Sequence, residues 1–308
     1  MDLQRAHRLD LVRTAMSPLL GPIADAIELV ELEPWAWRTT VRLGVADGRA
    51  GYRARRSHDI VAVDGCPIAH PLIDQLIADG RYGAARELVI RVGARTGDRM
   101  VRVDPVAEGI EVPEGVRVIG ADELAAGRRS WIFEEVAGRR WRISADSFFQ
   151  ARPDGAEAMV AAIRSDVERL AGRPVHLVDL YAGVGLFAGT VPADRVTAVE
   201  SNRSACADAR VNLDDVGAKV VSCDVDRWSP TRADVVVADP SRRGLGRAGV
   251  RVVDLTRAPV VVLVSCDLAA AVRDVSGLLA SGFRVDRIRL VDLFPHTDHV
   301  EVLTTLSR

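Results

Sequence analysis

The stretch PVHLVDLYAGVGLFAG, residues 174–189, joins a short apolar run to a glycine-rich turn. Similar valine-rich runs follow it, and helix-like segments lie between several of them. Near-continuous apolar strands that alternate with helices are typical of a parallel sheet covered by helices on both faces. The further runs are 195–200, 219–223, 233–238 and 259–265, and two final runs, 284–294 and 299–307, have no helix between them.

This pattern predicts a doubly wound α/β domain over residues 141–308, with the two final runs paired as an antiparallel edge. Residues 23–140 have a different pattern, in which alternating apolar and polar residues are separated by turn signals such as Ala46-Asp47-Gly48. They predict a small α+β domain built on an antiparallel sheet. Residues 1–22 are expected to form an opening helix.

The composition excludes several classes of protein. The 308 residues are 48% hydrophobic and 27% charged, which is ordinary for a globular chain. No apolar run approaches the roughly 18 residues of a membrane helix, and no signal-peptide pattern is present. The four cysteines have no disulfide or zinc-type spacing. We therefore expect a cytoplasmic monomer without a membrane partner or a metal site.

The glycine turn of the opening stretch predicts a cofactor site. Gly183 and Gly185 permit a tight turn and a close approach of a ligand to the backbone, at the carboxyl edge of the sheet. Glu200 ends the next run, where a carboxylate can accept both hydroxyls of a ribose. With Ala188 the loop also fits G-x-G-x-x-A, so a nicotinamide or flavin cofactor stays open. Asp179 favours S-adenosylmethionine, because an acid there can lie near the methionine ammonium group.

Reactive side chains stand at the ends of later runs. Asp239 follows the fourth run, with Arg242 close behind it. Cys266 ends the fifth run immediately before a helix, whose N-terminal amides would lower the pKa of the thiol, an effect that Asp267 would partly oppose. A buried cysteine without a chemical role is the alternative. Glu301 begins the last run and could act as a general base near the same edge.

In this order, these motifs resemble those of the RNA uridine-5-methyltransferase family, which uses S-adenosylmethionine to make 5-methyluridine in ribosomal and transfer RNA. The resemblance covers essentially the whole second half of the chain. A stretch in the first half, YRARRSHDIVAVDGCPI (52–68), is similar to the central domain of that family. The matching stretches of the second half are SFFQARPDGAE, DLYAGVGLFA, VESNRSACADARVN, ADPSRRGLG, LVSCDLAAAVRD and LFPHTDHVEVLTTL.

The resemblance implies a class I (Rossmann-like) S-adenosylmethionine-dependent methyltransferase domain with a seven-stranded sheet. It implies that Cys266 is the nucleophile and Glu301 the general base. Phe149, Arg242 and His296 are the residues expected to bind the substrate. The residues expected to bind the cofactor are Gln150, Asp179, Tyr181, Gly183, Gly185, Glu200 and Asp239.

The chain departs from the family pattern in three places. Ser241 replaces the second proline of the usual Asp-Pro-Pro-Arg, and Asp267-Leu268 stands where Asn-Pro or Asp-Pro is common. Many members also carry a small β-barrel (TRAM) domain and a cysteine cluster for an iron–sulfur centre. This chain begins MDLQRAH, as if just after that cluster, and only Cys66 matches one of the four ligands. We expect no iron–sulfur cluster.

Without the barrel, RNA binding is expected to fall to an arginine-rich segment. Residues 38–58 contain a single acid, Asp47, and the aromatic rings of Trp35, Trp37 and Tyr52 lie in or near the segment. Such a segment can bind phosphates and stack bases. A solvated sheet face is the alternative, because Lys219 is the only lysine and arginine is abundant throughout. The arginines are Arg38, Arg42, Arg49, Arg53, Arg55 and Arg56.

The leading hypothesis from the sequence is methylation of uridine C5 in RNA, with ribosomal RNA favoured over transfer RNA. Two alternatives stay open. The chain could be a homologue that binds RNA or cofactor without turnover, or an enzyme that methylates a small pyrimidine nucleoside. A nicotinamide oxidoreductase would leave the motifs around Cys266 and Glu301 unexplained.

Overall fold

The structure, a computed structural model, describes residues 1–20, 23 and 26–308. The chain divides into a large unit, Met1–Leu32 with Asp154–Arg308, and a central unit, Glu33–Pro153. The boundaries expected from the sequence were after residues 22 and 140. Residues 21 and 22 of the expected opening helix, and residues 24 and 25, lie outside the described residues.

The N-terminal segment belongs to the large unit. It contains helix α1 (Asp2–Leu20) and the short strand β1 (Glu28–Val30). Val12, Met16 and Leu20, four residues apart, form the buried face of α1 and join the core of the large unit. Arg8 on the same helix donates a hydrogen bond to the buried carboxylate of Asp292.

The central unit is built on a six-stranded sheet that is antiparallel except between its last two strands. Its strands are β2 (Thr40–Ala46), β3 (Arg49–Arg53), β4 (Ile60–Ala62), β5 (Glu87–Val92), β6 (Arg99–Asp104) and β7 (Val116–Gly120), in the order β4-β3-β2-β5-β6-β7. Helices α2 (Pro71–Asp79) and α3 (Ala121–Ala125) accompany them, and β8 (Trp131–Val136) and β9 (Arg139–Ser144) form a separate hairpin.

The turn residues and the alternation of apolar and polar residues explain how the sheet of the central unit forms. Asp47 and Gly48 have φ angles of 51° and 72° and join β2 to β3 in a two-residue turn, which requires positive φ at both positions. One face of the sheet packs on α2 and contains Leu43, Leu88 and Ile90. The antiparallel architecture is the one that the alternation of residues predicts.

The rest of the large unit alternates strands and helices. It comprises α4 (Pro153–Ala171), β10 (His176–Leu180), β11 (Arg195–Glu200), α5 (Arg203–Asn212), β12 (Lys219–Ser222), β13 (Val235–Ala238), α6 (Gly246–Leu255), β14 (Val260–Ser265), α7 (Leu268–Ala280), β15 (Arg284–Val291) and β16 (Glu301–Ser307). β10 to β14 are parallel to one another. The doubly wound α/β prediction is confirmed.

The sheet of the large unit contains one strand more than the seven expected. Its order is β1-β15-β16-β14-β13-β10-β11-β12, and the added β1 pairs in parallel with β15. β15 and β16 do pair antiparallel, but they are not the edge, because β1 lies outside them and β16 lies between β14 and β15. β1 has only three residues, too few to show a periodic pattern.

Within the described residues, no helix combines the length and the apolar character that crossing a membrane requires.

Candidate active site

Four predicted residues meet at the carboxyl edge of the parallel strands. Asp179 is the penultimate residue of β10, and Glu200 ends β11. Asp239 follows β13, and Cys266 follows β14. Since β11, β10, β13 and β14 are consecutive neighbours in the sheet, these side chains share the edge at which open α/β sheets bind ligands.

The glycine turn is tied to the end of β11. Gly183 and Gly185 have φ angles of 55° and 96°, which glycine adopts at low cost, and Tyr181 just before them has a φ of 60°, which is uncommon for a residue with a side chain. The main-chain N–H of Gly183 donates to Glu200 Oε2 at 2.8 Å. A Cβ at Gly185 would lie 2.8 Å from the side chain of Leu213. The turn is therefore held by packing and by Glu200, the residue expected to bind the ribose.

Asp179 is a fully buried acid with one satisfied oxygen. Its Oδ2 accepts a hydrogen bond from the N–H of Ala188 at 2.8 Å, while Oδ1 has no partner among the described residues. Burial raises the pKa of Asp179 to about 8, and the charges of Asp239 and Glu200 add to the effect. A buried acceptor without a partner is costly, so this oxygen suits a ligand that brings a positive charge or a donor.

Strand register brings Cys266 and Glu301 together. Ser265 of β14 pairs with Val302 of β16 in an antiparallel ladder. Cys266 follows Ser265 directly and Glu301 precedes Val302 directly, so the two residues adjoin the same end of this ladder. They are 35 positions apart in the chain, and only the sheet order makes them neighbours.

The thiol of Cys266 is less acidic than the sequence suggested. Burial first, then the charges of Glu301 and Asp239, raise its pKa to about 11. The expectation that the helix N-terminus would lower this pKa is wrong. α7 begins at Leu268, and its N-cap is Asp267, whose Oδ1 accepts the N–H of Ala270 at 2.8 Å. The helix thus has its own carboxylate cap beside the thiol.

The charge of Asp239 acts both on Asp179 and on the neighbours Cys266 and Glu301. Glu301 is buried, and burial followed by the charge of Asp239 raises the pKa of its carboxyl group well above the ordinary value. Asp239 also raises the pKa of both Asp179 and Cys266. We call Asp179, Glu200, Asp239 and Glu301 the acidic cluster. Its mutual repulsion would be relieved by a cation.

Arg242 and His296, both predicted to bind substrate, have different surroundings. Arg242 is exposed and donates a hydrogen bond to Nε2 of His299 at 3.0 Å. His296 has a φ of 63° and lines a cavity of 380 Å³ together with His7 and other residues of α1. No group of three or more metal-ligating side chains is found in the described part of the chain.

The central unit contains the other predicted residues. Gln150 is buried and Phe149 is half-buried, whereas the ring of Phe148 is 65% exposed. Phe149 is the residue predicted from the sequence to bind substrate. The doubled phenylalanine indicates an aromatic group here, but only the structure distinguishes the exposed ring.

The predicted arginines of the central unit lie at the end of β3 and in the turn after it. Arg53 is the last residue of β3 and pairs with Glu87 at 3.6 Å. Arg55 and Arg56 follow it and are exposed. Cys66 has a free thiol, and its main-chain N–H donates to Asp74 at 2.8 Å.

The fold and this edge define a class I methyltransferase architecture, and comparisons with known proteins agree. No protein-family model matches the chain. An uncharacterized RNA methyltransferase of Streptomyces avermitilis is 34% identical over 92% of this chain and 70% of the relative. A second, from Streptomyces coelicolor, is 35% identical over 88% of this chain and 64% of its own length.

The chain therefore belongs to a family of RNA methyltransferases. Among solved structures, it resembles the tRNA (uracil-54, C5)-methyltransferase of Pyrococcus abyssi in complex with S-adenosyl-L-homocysteine. The TM-score is 0.74 at 24% identity, over 98% of this chain and 83% of that one. This likeness shows a shared fold.

Proposed function

We propose that the protein methylates C5 of uridine in RNA, with S-adenosylmethionine as the methyl donor. The observation that supports the proposal is the register of β14 and β16, whose pair Ser265 and Val302 adjoins Cys266 and Glu301, together with the effect of the Glu301 charge on the thiol of Cys266. Both residues stand beside Asp239 at the ligand-binding edge. A nucleophile beside a proton acceptor is what uracil C5 chemistry requires.

The acidic cluster fits S-adenosylmethionine, which carries a positive sulfonium and an ammonium group. The unpartnered Oδ1 of Asp179 is a natural acceptor for such a group. When bound, the cofactor would supply an electrophilic methyl group. We propose that Asp179, Glu200 and Asp239 hold it, together with Tyr181 and the glycine turn. Gln150 completes the proposed set.

The residues of the chain perform the remaining chemistry. Uracil C5 is a weak nucleophile, so the thiolate of Cys266 adds to C6 and moves the electron pair of the C5–C6 double bond towards C5. After methylation, C5 carries both the methyl group and its original proton. Glu301 accepts that proton, the C5–C6 double bond re-forms, and the bond between C6 and sulfur breaks to free Cys266.

The raised pKa of the thiol sets a condition on this scheme. With a pKa of about 11, Cys266 is protonated at neutral pH in the ligand-free protein. A positive charge within the acidic cluster would lower the pKa of Cys266 and of Glu301, because both are raised by neighbouring negative charge. We therefore propose that the thiol gains reactivity when the cofactor is bound.

Substrate binding is proposed at the rim of this site and on the central unit. Arg242 and His296 are the proposed contacts from the large unit and Phe149 is the proposed contact from the central unit. The exposed ring of the neighbouring Phe148 is proposed as a further stacking surface for a base. Arg53, Arg55 and Arg56 are proposed to contact phosphates. A uridine must leave its stack to reach a thiol, so a loop or a flipped base is the expected substrate.

The test is incubation of the protein with labelled S-adenosylmethionine and RNA that contains 5-fluorouridine. Fluorine cannot leave as a proton does, so a covalent complex through Cys266 should accumulate and should be absent in Cys266→Ala. Absence of the complex in the wild type, or its persistence in the variant, would contradict the mechanism. Ribosomal and transfer RNA are compared in parallel, which tests the expected preference for ribosomal RNA.

The same experiment separates the alternatives. A homologue without turnover would bind cofactor or RNA and form no adduct with any RNA. An enzyme that acts on small nucleosides would methylate free uridine and show no salt-sensitive affinity for RNA.

A further inference from the structure

The central unit contains an arginine-lined groove of 490 Å³. This volume lies within the range of about 300–1,000 Å³ typical of ligand pockets. Four arginines and a single acid, Asp146, line it, and the arginines are Arg38, Arg42, Arg91 and Arg102. Two of the four, Arg91 and Arg102, lie outside the arginine-rich segment that the sequence analysis selected. We call this feature the arginine groove.

The sheet itself creates the arginine groove. Arg42 of β2 is opposite Val89 of β5, and Val89 is opposite Arg102 of β6. Arg91 is two residues beyond Val89 and so projects on the same side. The intervening residues, such as Ile90, project to the other side and belong to the core against α2. Three neighbouring strands therefore each contribute a guanidinium group to the face opposite α2.

The charges of the arginine groove are only partly neutralised. Arg42 pairs with Glu87 at 2.5 Å, and Arg102 approaches Asp146 at 3.3 Å. Nε of Arg38 is buried and has no hydrogen-bond partner among the described residues. A buried donor without an acceptor is unfavourable, and an anionic oxygen would satisfy it. The lining thus combines excess positive charge with an unused donor.

We propose that the arginine groove binds the phosphodiester backbone of a single-stranded segment of the RNA substrate. Guanidinium groups match phosphate oxygens in geometry and charge. The exposed edge of the groove, where 65% of the Arg42 side chain is accessible, allows a continuous strand to enter. The proposal rests on the proposed function only for the choice of RNA, and its test involves no methyl transfer.

The experiment measures binding of a fluorescent oligouridylate of about 12 nucleotides, without cofactor, over a range of salt concentrations. In Arg42→Gln the affinity should fall about fivefold or more, and the slope of log K against log salt should decrease by about 0.7, the value for one lost phosphate contact on a single strand. Arg42→Lys keeps the charge and should retain most of the affinity and the full slope.

The matched control is Arg86→Gln. Arg86 is also an exposed arginine of the central unit in a single ion pair, to Asp104 at 2.9 Å, but it does not line the arginine groove. Its substitution should leave both affinity and slope unchanged. Equal losses in Arg42→Gln and Arg86→Gln would overturn the proposal, because they would indicate a general effect of surface charge.

Competition by uridine monophosphate distinguishes a strand site from a site for a small anion. Displacement of the oligomer by stoichiometric uridine monophosphate would overturn the strand proposal, whereas weak competition supports it. The outcome is independent of the 5-fluorouridine adduct. A protein that forms no adduct but loses salt slope in Arg42→Gln would support the arginine groove and contradict the methyltransferase mechanism.

Discussion

At the scale of single residues, Cys266 shows that a position at the edge of the sheet does not by itself make a thiol reactive. Its place after a buried strand brings it to the carboxyl edge of the sheet, but burial first, and then the charges of Glu301 and Asp239, raise the pKa of the thiol and make it hard to ionise. Such a thiol is protected from unwanted modification until a cation reduces the local negative charge. In the proposed mechanism, the acidic cluster would both bind the cofactor and control the reactivity of Cys266.

Substitution of Glu301 should change the reactivity of this thiol. Glu301→Gln removes a negative charge that raises the pKa of Cys266, so that pKa should decrease from about 11 and alkylation at neutral pH should become faster. The measurement is the rate of iodoacetamide labelling of the Cys266 peptide against pH, by mass spectrometry. Cys223 is an internal control, since the pKa of its thiol is raised by burial first and then by the charges of Asp224, Cys206 and Asp226, not by Glu301. An unchanged Cys266 profile would contradict the electrostatic account.

The pKa of Asp179 predicts how cofactor affinity depends on pH. Because a cationic ligand prefers the ionised carboxylate, affinity for S-adenosylmethionine should rise with pH towards the pKa of about 8, by at most about tenfold per pH unit. Asp179→Asn should bind weakly, with no such rise, whereas Asp10→Asn on an exposed part of α1 should behave as wild type. Calorimetric titration from about pH 6 to about pH 8.5 makes the comparison.

Stability provides the folding control for Asp179→Asn. In the folded state the pKa of Asp179 is raised from 3.8 to about 8, so ionising it is unfavourable and stability decreases as pH rises from about 4 to about 8. The asparagine variant lacks this loss and should melt at a higher temperature than wild type above pH 8. A lower melting temperature would mean that its weak binding reflects misfolding.

At the scale of elements, a buried ionic network fastens α4 to the sheet. Asp166 on α4 is fully buried and accepts hydrogen bonds from Arg289 at 2.5 and 3.2 Å, from Arg287 at 3.1 Å and from Thr305 at 2.6 Å. Arg287 and Arg289 belong to β15, and Thr305 belongs to β16, the strand that begins with Glu301. The helix and the catalytic strand are therefore held in one arrangement.

Removing this carboxylate should be strongly destabilising. Among the described residues, Asp166→Asn leaves the buried guanidinium of Arg289 with the exposed Glu28 as its one anionic partner, so the free energy of unfolding should decrease by about 3–5 kcal/mol. Asp194→Asn breaks an exposed pair with Arg173 and should cost less than about 1 kcal/mol. Denaturant unfolding of both variants tests the difference, and equal losses would contradict a special role for the α4 network.

At the scale of the whole molecule, the features that the sequence predicts are those that short local patterns determine. Apolar runs and the glycine turn are local, so the parallel sheet and the strand-end positions of Asp179, Glu200 and Cys266 could be inferred. The pairing of Cys266 with Glu301 depends on β16 lying beside β14, which residues alone do not show without the family resemblance. The direction of the thiol pKa was missed because it depends on burial and on two carboxylates, Glu301 and Asp239, from separate segments.

The arginine groove also depends on contacts between strands that the sequence alone does not show. Arg42 belongs to an arginine-rich segment that is visible in the sequence, but Arg91 and Arg102 join it only because β2, β5 and β6 are adjacent. Strand β1 was missed for a related reason, since three residues become a strand only through their pairing with β15. The structure therefore adds most to the sequence-based prediction where segments that are distant in the chain come into contact.

The division of the chain predicts that the large unit can fold without the central unit. Replacing residues 33–153 with a flexible linker of about 20 residues keeps α1 and β1 together with 154–308, and the core of Val12, Met16 and Leu20 stays complete. This shortened chain should unfold in one cooperative transition. Deleting residues 1–32 as well should abolish that transition, because it removes β1, uncovers the core and leaves the buried carboxylate of Asp292 without Arg8. Circular dichroism melting distinguishes the two chains, and a non-cooperative first chain would show that the large unit depends on the central unit for its stability.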